Sequence, residues 1–262
     1  MKKQFLPIIM LCLMTALGCA STPKAPQTGT DAEVNDKAMA QFRTGNYIEA
    51  VKIFEELRDK FPMSPYAVLA ELRLGECHYK KEEFIEAAHF FDNFRRLHPS
   101  NQQVDYSIYM RGMCAYQQML TCDRDQTFAE EAVEQFQQLF ELFPQSSYTG
   151  SGLVRLSEAR HQLAAREIFI DDVYMRNLNY SGAIERYNRA LKRYPNQVEE
   201  DQLLLKIGEA TIRGGDERRG KKILEFLVKK FPDSSAVPQA EKIIKNPATA
   251  LKEIPWVTRH FN

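Results

Sequence analysis

The sequence predicts an all-α solenoid of about five stacked helix pairs, and three observations carry that reading. An aromatic residue or histidine followed by proline recurs as Phe61-Pro62, His98-Pro99, Phe143-Pro144, Tyr194-Pro195 and Phe231-Pro232, at spacings of 37, 45, 51 and 37 residues. Each proline is preceded at fixed distances by the same kinds of residue. Twelve before it is a small one (Ala50, Ala87, Ala132, Ala183, Gly220), and eight before it a large one (Phe54, Phe91, Phe136, Tyr187, Leu224). Five before it is a further apolar position (Leu57, Phe94, Leu139, Ala190, Leu227). Steps of four and three residues line one face of an α-helix, and proline then stops it. Composition agrees. With 12 Gly and 12 Pro in 262 residues, 44% apolar residues and 35 positive against 35 negative charges, the chain is neither collagen-like, low-complexity nor charge-disordered. Zero net charge supplies no global field for nucleic acid.

In chain order, Met1-Lys2-Lys3 is a short basic start, followed by an apolar run from Phe5 to Leu17 broken only by Pro7 and Thr15. Such a run falls short of the roughly 20 residues of a membrane span and suits a secretory signal peptide. It ends in Ala16-Leu17-Gly18-Cys19, which resembles a bacterial lipobox. That resemblance implies cleavage after residue 18, S-diacylglycerol and N-palmitoyl groups on Cys19, and, with Ala20 next, an outer-membrane destination on the periplasmic side. The expected divisions are a signal peptide at 1–18 and a lipidated tether at 19–33. The tether has no large apolar residue over 20–33 and spans roughly 20 Å as a coil. Loss of Lys2 and Lys3 leaves 33 positive against 35 negative charges, a net of −2.

Upstream of each proline-terminated helix lies a second one. Leu74-Gly75, Gly112 and Ile207-Gly208 occupy equivalent places, and two residues later come Cys77, Cys114 and Ala210, with Ala40 matching in the first unit. Gly45-Asn46-Tyr47 and Gly214-Gly215-Asp216 read as turns inside the pairs. The pattern resembles the tetratricopeptide repeat. An N-terminal half (34–145, units 1–3), a C-terminal half (146–245, units 4–5 and a capping helix) and a tail (246–262) follow. The spacing of 45 hides an insertion near Met119 to Phe128, and the spacing of 51 implies one long helix over about 151–177. A helix pair cannot bury its apolar face alone, so stacking makes one superhelix. Its first helices line a groove. Phe42, Tyr79 and Tyr116 recur every 37 residues at one position, joined by Tyr106 and Tyr109. This stripe either grips an extended peptide or packs between repeats.

A more specific resemblance rests on an ordered series: Phe61-Pro-Met-Ser-Pro-Tyr66, Tyr79-Lys80, Arg96-Leu-His-Pro99, Val104-Asp-Tyr-Ser-Ile-Tyr-Met-Arg-Gly112, Asp123-Arg124-Asp125 and Pro144-Gln-Ser-Ser-Tyr148. With the lipobox, it is similar to the BamD (ComL-like) lipoproteins over about 19–232. The resemblance implies a non-enzymatic scaffold of outer-membrane β-barrel assembly. Its implied partners are a BamA-type barrel subunit, bound through a POTRA domain, other assembly lipoproteins, and C-terminal segments of unfolded outer-membrane proteins. It also implies a partner-binding role for Arg186, nine residues before Pro195. The tail holds Trp256, which serves either as a partner anchor or as a cap.

Catalytic and metal readings are weak. The five histidines (78, 89, 98, 161, 260) form no i, i+4 pair or zinc-type cluster. Cys77 and Cys114 read as small buried residues, with a Cys114–Cys122 disulfide as the alternative. Arg218-Arg219 and Lys221-Lys222 make a basic cluster suited to a solvated face, lipid headgroups or an acidic partner. Two other functions stay open: a different periplasmic repeat lipoprotein, such as a secretin pilotin or division coordinator, and an envelope hydrolase.

Overall fold

A computed structural model describes residues 29–251; the lipobox, Cys19 and Trp256 lie outside the described residues. Those residues form eleven α-helices and a closing 3-10 turn. The helix pairs are α1 (Asp31–Arg43) with α2 (Tyr47–Lys60), α3 (Pro65–Lys80) with α4 (Phe84–Leu97), and α5 (Val104–Gln117) with α6 (Thr127–Leu142). They continue with α7 (Thr149–Arg176) and α8 (Tyr180–Arg193), then α9 (Glu200–Arg213) and α10 (Glu217–Lys230). The capping helix α11 (Val237–Lys245) and the turn Pro247–Leu251 close the stack. This is the expected all-α repeat solenoid. The long helix is α7, with 28 residues, or about 42 Å at 1.5 Å per residue.

The sequence columns are the core. All fifteen small, large and apolar positions before the prolines are buried, among them Phe54, Leu57, Tyr187 and Leu224 at 0% exposure. Their partners are the glycines of the preceding helices. A Cβ on Gly75 would stand 2.9 Å from the Phe91 ring, one on Gly112 2.8 Å from Phe136, and one on Gly208 2.4 Å from Leu224. Glycine there lets the large residue of the second helix lie directly on the first helix's backbone.

A polar clasp repeats as well. Ser64 Oγ donates to Asp31 Oδ2 at 2.6 Å and accepts from the Tyr66 N–H, which caps α3. Ser146 does the same with Asp105 (2.6 Å) and the Tyr148 N–H, and Ser234 with Asp201 and the Ala236 N–H. Each clasp ties the start of one helix pair to the entry of the helix that follows it, α3, α7 or α11.

Four expectations shift. Helix α1 begins at Asp31 under a Thr30–Glu33 capping box, so the last three residues expected as tether are helical. Ala40 is exposed although Cys77 and Cys114 in the same column are buried. Cys77 packs against α1 and α2 and Cys114 against α4, but α1 has no helix pair before it among the described residues. The insertion forms the loop 118–126, and Phe128 belongs to α6. The expected tail starts too early: residues 247–251 pack on α9 and α11, with Ala250 at 2% exposure.

Candidate functional site: an aromatic groove on the first helices

The groove is lined by α1, α3 and α5. It encloses about 420 Å³. Phe42, Tyr79, Tyr106 and Tyr109 meet there with Met110 and Met113. Tyr116 is not part of this lining. It lies at the C-terminal end of α5 and faces α7, with Arg155 over its ring at 4.9 Å and its hydroxyl donating to Glu158 Oε2 at 2.7 Å. Two rings of the stripe pack within their helix pairs and also border the cavity. Phe42 packs edge-on against Tyr47 at 5.6 Å and Tyr79 against Phe84 at 5.4 Å, and both rings also line the groove. One side of each ring seals a helix pair; the other faces the cavity.

The floor is polar at one point. Glu76, 7% exposed, accepts from Arg73 Nη1 at 2.6 Å and from the Tyr106 hydroxyl at 2.7 Å. Burial, and then the Glu76 carboxylate, raise the Tyr106 hydroxyl above its usual range, so it stays a donor. The Arg73 guanidinium sits 6.0 Å from the Phe42 ring, and exposed Lys80 adds a second cation. Tyr148 joins the group, stacking 5.2 Å from Tyr109 and lying 5.1 Å from Tyr106. Apolar faces with a cationic rim suit an extended peptide carrying aromatic or aliphatic side chains. Glu76, Arg73 and Tyr148 were not among the sequence-derived groove residues. The signal for Glu76 is the pairing Arg73-x-x-Glu76, repeated as Lys206-x-x-Glu209. Glu209 is 6% exposed and accepts from Gln239 Nε2 at 2.5 Å, 30 residues ahead, as Tyr106 is from Glu76.

Arg186 lies elsewhere, on α8. Its Nη1 is 3.3 Å from Glu167 Oε2 and its guanidinium 5.1 Å from the Tyr174 ring. Its side chain is 25% exposed, so it is neither a free solvated arginine nor fully buried. Next to it, Asp172 Oδ1 accepts from Lys206 Nζ at 2.9 Å and Tyr187 Oη at 3.1 Å. Asp171 is 0% exposed, and neither carboxylate oxygen has a hydrogen-bond partner. Burial pushes its pKa up to about 8, against the pull of Arg186 and Lys206.

Among the described residues, no three His, Cys, Asp or Glu side chains converge as a metal would require. Cys77, Cys114 and Cys122 are free thiols, so the Cys114–Cys122 disulfide is absent. Cys77 and Cys114 are buried, which pushes each thiol up to about 12.

Residues 27–222 match the family model for YfiO, an outer membrane lipoprotein. The outer membrane protein assembly factor BamD of Neisseria meningitidis serogroup B is 30% identical over 79% of this chain and 84% of its own length. BamD of Caulobacter vibrioides is 24% identical over 90% of this chain and 79% of its own. Among solved structures, the TPR2AB domain of yeast Sti1 in its Hsp90 complex aligns with 12% identity and a TM-score of 0.43, covering 84% of this chain and 86% of that one. The chain belongs to the YfiO outer membrane lipoprotein family, in which the BamD assembly factors fall.

Proposed function

We propose that this chain is a non-enzymatic scaffold of outer-membrane β-barrel protein assembly, carried by Cys19 as a lipid anchor on the periplasmic face of the outer membrane. The observation that supports this reading best is the aromatic groove of α1, α3 and α5 on a repeat solenoid of that family. A scaffold works by presenting surfaces, and the solenoid presents two. The groove takes C-terminal segments of unfolded outer-membrane proteins: aromatic or aliphatic side chains enter between Phe42, Tyr79 and Tyr109, and Arg73 and Lys80 meet acidic groups. The C-terminal repeats, around Arg186, take the POTRA domain of a BamA-type barrel subunit, alongside other assembly lipoproteins. Because Arg186 is already paired with Glu167, a partner carboxylate has to share it, which makes that pair a switchable contact.

Gentle detergent extraction followed by identification of stable partners tests the reading. An Omp85-type barrel protein is the expected partner; a secretin without any barrel protein would overturn the assignment in favour of a pilotin. Cys19→Ser is expected to release the chain to the soluble periplasm.

A further inference from the structure

The basic cluster of the last repeat has no part in the groove or around Arg186. Residues 217–245 carry eight Lys/Arg against four Asp/Glu, whereas residues 31–145 carry 12 against 20. The neutral total therefore hides a strongly polarised molecule. On α10, Arg218, Lys222, Phe226 and Lys229 follow at steps of four, four and three, which puts them in one stripe. The stripe is about 17 Å long at 1.5 Å per residue. All four residues are exposed, Phe226 by 50%. Lys242 and Lys245 on α11 and Arg219 beside the stripe are exposed too. Lys221 and Lys230 are engaged with Glu217 and Glu200, but Arg218, Lys222, Lys229, Lys242 and Lys245 have no ion pair within the described residues.

The fold does not demand this stripe. The same outward positions hold Glu130, Glu134 and Gln138 on α6, and Ser181, Glu185 and Arg189 on α8. Only the residues beneath them, which pack on the neighbouring helices, are shared. Phe226 stays half exposed although Lys230 Nζ lies 5.6 Å from its ring, and an exposed phenylalanine beside unpaired cations fits an interface where phosphates meet acyl chains.

We propose that the outer face of α10 and α11 docks on an anionic lipid surface. The cations meet headgroup phosphates, and Phe226 inserts at the headgroup boundary. A fluid lipid surface can match cations spread over two helices without a fitted shape. Cys19 precedes α1 in the sequence, so this contact, made by the last helices, gives the chain a second point of attachment besides the lipid. The acidic N-terminal repeats are then the part repelled from the anionic surface.

The test uses the mature chain with Cys19→Ser, which removes acyl-driven partitioning, sedimented with vesicles of phosphatidylcholine alone or with 30% phosphatidylglycerol. Binding to the anionic vesicles only, weakened by salt, is expected. Each cation near such a surface contributes enough that Arg218→Gln, Lys222→Gln and Lys229→Gln together lower partitioning on the order of 100-fold. Phe226→Ala should lower it roughly 10-fold. The control triple Lys37→Gln, Arg43→Gln and Lys52→Gln changes net charge equally and should leave binding unchanged. All the substituted positions are exposed, and unchanged helicity and thermal midpoint confirm the fold. Equal effects of the two triples, equal binding to neutral vesicles, or no binding at all would overturn the proposal. So would binding that appears only when the chain is cut after Leu251, which would make residues 252–262 the occupant. Capture of an acidic protein by α10 without vesicle binding would do the same. None of these residues lines the groove, so failure here leaves the assembly reading intact.

Discussion

Asp171 makes the stability of the C-terminal repeats depend on pH in a calculable way. It sits on α7 with Glu167 and Asp172, facing Arg186 and Tyr187 of α8 and Lys206 of α9. Its carboxyl ordinarily titrates at 3.8 and here titrates at about 8. Below about pH 4, folded and unfolded chains both hold the proton. Above that the unfolded chain releases it while the folded chain keeps it, so stability falls as pH rises and levels off only beyond the folded value. Between pH 5 and pH 8 the loss is roughly 4 kcal/mol at 1.36 kcal/mol per unit. That is an upper limit, because Arg186 and Lys206 can turn toward the ionised carboxylate. Asp171→Asn removes the titration but leaves a buried amide without a partner, which costs about 1–3 kcal/mol. The variant should therefore be more stable than the parent at pH 8 by about 1–3 kcal/mol and less so at pH 5. Urea unfolding of both proteins at pH 5, 6, 7 and 8 measures this. Burial also raises Glu209, but it is common to both proteins and cancels in the difference. Parallel stability curves would show that Asp171 titrates as a solvated carboxylate, and the reasoning would fail.

Gly208→Ala should lower stability by about 1–3 kcal/mol, because its Cβ would stand 2.4 Å from Leu224 Cδ2. Gly150→Ala, with nothing within 4 Å, is the control in the same denaturation series. Tyr106→Phe leaves Glu76 with Arg73 alone and should cost about 1–3 kcal/mol, with weaker peptide binding measured by fluorescence anisotropy. Alkylation at pH 8 followed by mass spectrometry should modify Cys122 first. The Cys77 and Cys114 thiols, buried and raised to about 12, should react only as the chain unfolds.

The apolar architecture was legible because it repeats. A buried position in one unit is buried in the next, so Phe54, Phe91, Phe136, Tyr187 and Leu224 announce one another. Ala40 misleads for the complementary reason: its column is covered by a preceding helix pair, and the first unit has none among the described residues. Polar pairings were harder to see. The Asp31–Ser64 and Glu76–Tyr106 bonds join residues 33 and 30 apart. No helical period marks them, and each depends on rotamers that only the assembled stack fixes. Arg186 shows the same limit, since its pairing with Glu167 and Tyr174 follows from how α8 lies across α7. Among the groove residues, Phe42, Tyr79, Tyr106 and Tyr109 converge because α1, α3 and α5 are stacked in register. Tyr116 shares the 37-residue spacing of Phe42 and Tyr79 but, at the end of α5, turns to Arg155 and Glu158 of α7 instead.

The pattern of helix contacts also governs how the chain acquires its structure. Helices pack chiefly on their immediate neighbours in sequence, from α1 on α2 through α10 on α11. No distant segments must find each other, so the entropy of closing long loops is small and folding is fast for the chain's length. A chain that emerges N-terminus first during synthesis can complete α1 to α4 before α9 is available. The groove, built from α1, α3 and α5, is then assembled before the last repeats arrive, and the C-terminal repeats finish on a folded template.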